Sequence, residues 1–113
     1  MGKAIEALEK RIPMLNKSNR AKELMEVWPK IVRMEFRDEP SPFYMIVENG
    51  QVKLEKSFAK EPEIILVGDG QEFVKVALGE KDISHPLFFG QIKITKGTVK
   101  EVMVLSRIIG SIR

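Results

Sequence analysis

Apolar and polar positions divide the chain into segments of two periods. Ala4, Ile5, Leu8 and Ile12 recur at helical spacing with charges between them, which predicts a first helix over about 3–11, interrupted at Pro13. Asn16 or Ser18 can cap a second helix, because either side chain accepts from the free N–H groups of a first turn. Ala21, Leu24, Met25 and Trp28 share one face of it, and Pro29 ends it after about Val27. From Lys30 the period is two. Val32, Met34 and Phe36 alternate with Arg33, Glu35 and Arg37, the pattern of a half-buried strand. Residues 38–42 hold two prolines and predict a stiff loop. Phe43–Glu48 and Gln51–Lys56, the latter with Val52 and Leu54 on one face, read as strands joined by Asn49-Gly50, since both residues tolerate the positive φ of a type I′ turn. After the Glu61-Pro62 turn, the run Ile64-Ile65-Leu66-Val67 predicts a strand over 63–67 buried on both faces.

Asp69 and Glu72 form a capping-box-like pair ahead of a helix with Phe73, Val76 and Ala77 on one stripe, and Gly79 supplies its stop. Leu87-Phe88-Phe89 then stands between Pro86 and Gly90, where a connection should be polar. That apolar turn either plugs a core or lines a place for something apolar. Gln91–Thr95 is a fifth strand with Ile92 and Ile94 on one face, and a last helix runs over about 98–109. In it Val99, Val102, Met103, Val104, Leu105, Ile108 and Ile109 take most of the circumference, leaving Lys100, Arg107 and Ser111 a narrow polar sector. One face packs on the sheet; the rest calls for the N-terminal helices, a second subunit or a ligand. The order α-α-β-β-β-β-α-β-α predicts an α+β two-layer domain: a five-stranded, mostly antiparallel sheet with helices on one face. All 113 residues read as one domain, with helices over residues 1–28 followed by a sheet-and-helix region over residues 30–113.

Composition narrows the function. The net charge of +3 is spread without a dense Lys/Arg block, which argues against nucleic acid. No cysteine is present, so thiol catalysis, disulfides and thiolate zinc sites are excluded. No apolar run approaches the roughly 20 residues that span a bilayer. The first ten residues lack the apolar core of a signal peptide, so the expectation is a cytoplasmic protein without stable membrane insertion.

Candidate chemistry is thin. His85 is the only histidine; Asp82 and Ser84 are near it, but three residues within four positions of a turn do not build a triad. There is no grouping at metal-ligand spacing and nothing that calls for a cofactor. Gly68-Asp69-Gly70 reads as a cap rather than a phosphate cradle, because the aspartate sits where an anion would go. Arg33, Arg37, Lys53 and Lys93 read as a solvated sheet face. What remains is surplus apolar surface at Trp28, Leu87, Phe88, Phe89 and the last helix. Pattern alone leaves two readings open: an apolar ligand cavity, or a closed core with a homodimer interface on the last helix.

From Phe43 onward the chain resembles the sterol carrier protein type 2, or non-specific lipid-transfer, domain family. The resemblance rests on the Phe43–Glu48 strand with Asn49-Gly50, the strand over 63–67, the helix with Phe73 and Gly79, Lys81-Asp82, the turn Leu87-Phe88-Phe89, and Gly90-Gln91-Ile92-Lys93-Ile94-Thr95. It implies a non-enzymatic protein that holds a hydrophobic lipid, fatty-acyl or isoprenoid, between sheet and helices. Carried over by position, Phe43, Leu66, Phe73, Leu87, Phe88, Ile92 and Ile94 would face inward, and the last helix would be a movable wall. With the apolar residues noted above, the cavity candidates are Trp28, Phe36, Phe43, Leu66, Phe73, Leu87, Phe88, Phe89, Ile92, Ile94, Met103, Leu105 and Ile109.

Overall fold

The change of period after Trp28 separates a helical layer from a sheet in the computed structural model, which describes residues 3–39, 42–57 and 60–111. Strands β1 (Ile31–Phe36), β2 (Phe43–Glu48), β3 (Gln51–Glu55), β4 (Ile64–Gly68) and β5 (Ile92–Lys96) form one sheet in the order β3-β2-β1-β4-β5. β1 and β4 run parallel and the other pairs antiparallel. Helices α1 (Lys3–Lys17), α2 (Asn19–Glu26), α3 (Gly70–Ala77), α4 (Ser84–Phe88) and α5 (Val99–Gly110) complete an α+β fold of the expected class. Pro40 and Ser41 of the expected stiff loop lie outside the described residues.

Register places the period-two residues on one side. Val32 is opposite Met45 and Ile64, and Met34 is opposite Phe43 and Leu66, all of them buried. Phe36 sits with its ring centroid 6.0 Å from Phe43 and 5.2 Å from Phe73, so one aromatic cluster ties β1 and β2 to α3. Asn49 and Gly50 have φ of 54° and 71°, as the type I′ turn requires.

Three elements differ from expectation, and a fourth settles on one of its alternatives. α1 continues through Pro13 to Lys17 instead of breaking there. A proline removes the bond to the carbonyl four residues back. Here that is Glu9, which is exposed like Pro13 itself, so the missing bond falls on the solvent side of the helix, where it costs least. Tertiary bonds hold the helix on either side: Arg11 donates Nε to the Ala77 carbonyl at 2.9 Å and Nη2 to that of Leu78, while Asn16 exchanges bonds of 3.0 and 2.8 Å with the Val52 backbone. Ser18 is therefore the cap of α2, accepting from Ala21 N–H. Secondly, the strand buried on both faces is β2, and β4 alternates buried with half-buried positions. Because β3 and β4 flank the β2–β1 pair, the connection over 56–63 must cross that pair, and its Lys60 shares a hollow with Ile46. Thirdly, the apolar turn contains α4, one and a half turns of helix. The fourth is α5, whose expected covers included the N-terminal helices: it packs against α1, α2 and α3, burying Val102, Leu105, Ile108 and Ile109, while Val99 stays exposed. Ile112, at the end of the dimer face considered above, lies outside the described residues.

Two carboxylates pin the ends of α3 and α5. Asp69 Oδ1 accepts from Gln71 and Glu72 N–H, but Glu72 does not return to the cap. Its buried carboxylate instead accepts from Lys81 Nζ at 2.7 Å and Lys75 Nζ at 3.2 Å, tying α3 to the segment before α4. The reciprocal capping box is on α5, between Thr98 and Glu101, and Glu101 also pairs with Lys30 at 3.0 Å. Both acids are held below the ordinary value of 4.5. Lys81 is the main cause for Glu72, opposed by desolvation, and Lys30 is the main cause for Glu101, helped by Thr98. A lowered folded-state pKa stabilises above the unfolded-state value and is lost as pH falls through the folded one.

Stability to urea is accordingly expected to decline below about pH 4.5. The Glu72→Gln variant should lose about 1–2 kcal/mol at neutral pH and differ little from the parent near pH 3; an equal deficit at both pH values would assign the loss to packing. Gly68 gives a second prediction. Its φ is 148°, and a Cβ there would stand 2.2 Å from the Gln91 carbonyl oxygen. Gly68→Ala should cost at least about 2 kcal/mol, read as a lower urea midpoint at unchanged slope.

Candidate functional site

The space between sheet and helices is apolar and filled. Trp28, Phe36, Phe43, Leu66, Phe73, Ile92, Leu105 and Ile109 are buried in one continuous core, with Leu87, Ile94 and Met103 partly buried against it. Trp28 is the only tryptophan, and its Nε1 is buried without a hydrogen-bond partner among the described residues. The structure thus brings these candidates together in a single layer.

Phe88 and Phe89 are not in that layer. They are 84% and 66% exposed, so their placement as inward residues is corrected. The cause is the geometry of α4. Ile83 and Pro86 are buried and Leu87 is half-buried. Consecutive helical residues are 100° apart, so the next positions turn away from the face that those three commit to the interior. The same turn disposes of the other polar candidates. His85 is exposed with its ring 5.8 Å from that of Phe89, while Asp82 accepts from Ser84 N–H at 3.0 Å. The Gly68-Asp69-Gly70 segment is a cap as expected, and Gly70 N–H is taken by Asp38 at 2.7 Å.

The interlayer space meets solvent at a groove between α1 and the edge strand β3. Ile5, Phe43 and Leu54 contribute its apolar walls, and Glu9, Glu55 and Lys56 its polar ones. Its volume is about 210 Å³, below the roughly 300–1,000 Å³ of ordinary small-molecule sites. Phe43 belongs both to this groove and to the core aromatic cluster, so the floor of the groove is the outer edge of that cluster. Sequence reasoning placed Ile5 and Leu54 on the correct apolar faces but as ordinary core positions. Only the seating of α1 against β3 reveals that they flank an opening. Two other hollows, beside the Asn49-Gly50 turn and beside Lys60, lie on or around the opposite sheet face, and neither is lined by a residue of the aromatic cluster.

No curated protein sequence matches the chain. Among solved structures, the fold is similar to sterol carrier protein domain 2 of Helicoverpa armigera, at 16% identity and a TM-score of 0.76 over 96% of this chain and 89% of that one. It is also similar to apo sterol carrier protein 2 from Yarrowia lipolytica, at 13% identity and a TM-score of 0.68 over 95% and 87%. A third similar structure is palmitated SCP2L2 from Aedes aegypti, at 14% identity and a TM-score of 0.63 over 96% and 93%. The model of the SCP-2 sterol transfer family matches residues 5–110, nearly the whole of this α+β unit, and the chain belongs to that family.

Proposed function

We propose that the protein is a non-catalytic carrier that takes the hydrocarbon chain of a lipid between its sheet and its helices, entering by the α1–β3 groove. The observation that carries this reading is that Phe43, a member of the core aromatic cluster, also lines the groove. Family membership supports it, as does a structural neighbour described in palmitated form. A fatty-acyl or isoprenoid chain fits the all-apolar lining. In the loaded state Phe36, Phe43, Leu66, Phe73, Ile92 and Ile94 flank it, with Leu87 beside them. Met103, Leu105 and Ile109 of α5, with Trp28, form the opposing side.

The closed core sets the energetics. Ten methylenes buried from water supply about 8 kcal/mol. Loss of ligand freedom and separation of the layers consume much of it. For a chain of that length the net is below about 8 kcal/mol, so affinity no tighter than micromolar follows, and each further buried methylene strengthens it.

A fluorescent fatty acid should bind saturably, be displaced by unlabelled fatty acid, and change Trp28 emission, since that indole lies in the layer the chain enters. Native mass spectrometry should show a one-to-one lipid adduct. Leu54→Glu places a charge in the groove wall at a half-exposed position, so the fold should persist while affinity drops at least about tenfold. Absence of both an adduct and saturable displacement would defeat the carrier reading. Unchanged affinity in Leu54→Glu would move the entrance elsewhere.

A further inference from the structure

Two phenylalanine rings at the end of α4 face water and are fixed there. Phe88 and Phe89 stand edge to face with centroids 5.2 Å apart, and Gly90, the next residue, has open space around it. The mounting beneath them is firm. Ile83 is fully buried and its N–H reaches Ser106 Oγ of α5 at 3.3 Å. Gln91 N–H donates to the Pro86 carbonyl at 2.8 Å, and Asp69 N–H to the Gln91 carbonyl at 2.9 Å. Turning the rings inward would drag Ile83 and Pro86 out.

The area decides what can cover them. A phenylalanine offers roughly 150–250 Å² of surface. At 84% and 66% exposure the pair shows about 300 Å², whereas a stable protein interface needs about 800 Å² from each partner. A second copy of the chain gains too little. A bilayer surface demands no matching shape, and aromatic rings favour the boundary between lipid and water. Ser84 and His85 line the same shallow hollow as the two rings, which sets polar groups behind the apolar tip at the level where headgroups lie. Charge around the tip is mixed: Glu80, Asp82 and Lys93 are exposed, and Lys81 is engaged by Glu72. Attraction to anionic lipid is therefore not the driving term.

We propose that the α4 tip is a membrane-docking element, in which Phe88 and Phe89 enter the interfacial layer of a neutral phospholipid bilayer and hold the protein there reversibly. The benefit to lipid exchange rests on the carrier reading; the docking itself does not. Insertion of this kind is shallow and needs no spanning helix, and none of the helices among the described residues is long and apolar enough to cross a membrane.

The test is co-sedimentation of the full chain with phosphatidylcholine vesicles, with F88S/F89S as the variant. The parent should partition onto the vesicles, and the variant should do so at least about tenfold more weakly. Raising salt from about 0.05 to about 0.5 M should change the parent's partition less than about threefold. Thermal unfolding of the variant and its displacement of fluorescent fatty acid without vesicles should match the parent. Equal partition of parent and variant, or no partition of the parent at about 1 mM lipid, overturns the proposal. So does self-association of the parent that the double substitution abolishes, which would make a second copy the occupant. Docking through the rings without fatty-acid uptake would sink the carrier reading alone, and uptake without docking would sink this proposal alone.

Discussion

β1 pairs in parallel with β4 and antiparallel with β2, and this central arrangement fixes the route of the rest of the chain. Parallel neighbours cannot be joined by a tight turn. The interval between them is filled by the β2–β3 hairpin, whose exit must cross the sheet before β4 can form. The same pairing brings Gly68 beside Phe36 and draws the backbone at Gln91 and Ile92 close against Gly68. That close approach leaves no room for a side chain, and it carries the chain directly into α3. Phe73 then arrives over Phe36, and the aromatic cluster joining the layers follows.

A filled interior and a ligand in that interior are compatible only if one wall can yield without breaking the sheet. The two helical walls differ in how they are held. α1 is tied across the molecule by Ala4 N–H to Glu39, by Arg11 to the end of α3 and by Asn16 to the edge strand. α5 rests mainly on other helices, with a half-exposed ion pair to Lys30 and one bond from Ile83 N–H. Such a pair contributes little, because solvent screens it. Displacing α5 therefore sacrifices mainly apolar contacts that an incoming hydrocarbon chain can replace, together with the Ile83 N–H bond, whereas displacing α1 strands polar groups at both ends and the middle of the helix. The breadth of apolar surface on α5 has the same explanation, since it meets three helices.

Most of the fold was legible because short-range rules act where tertiary demands agree with them. The strands, the Asn49-Gly50 turn and the cap at Asp69 follow from period and turn chemistry alone. Pro13 misled because its cost depends on which side of the helix the orphaned carbonyl faces, and that is a tertiary fact. The double burial of β2 leaves no local sign at Tyr44 or Ile46, because it depends on side chains from other segments, Arg33 over the Tyr44 ring and Lys60 beside Ile46. Of the candidate site, the core side of the cavity was readable as alternating apolar residues. The groove was not, since Ile5 and Leu54 differ from other core positions only in lying at a margin between α1 and an edge strand.

The stretch over 83–89 shows how one apolar run serves two environments. A helix of five residues offers too few turns to bury every side chain it carries, and Ile83 and Pro86 take the interior positions. Had Phe88 formed the floor of a pocket, those two would face water and α4 would lose its anchorage. The anchorage also joins α4 to the wall with the weaker polar ties, because Ile83 N–H bonds to Ser106 of α5 in a buried setting. Leaving that N–H unsatisfied costs about 1–3 kcal/mol. An outward movement of α5 would therefore either strand Ile83 N–H or draw the base of α4 along with it.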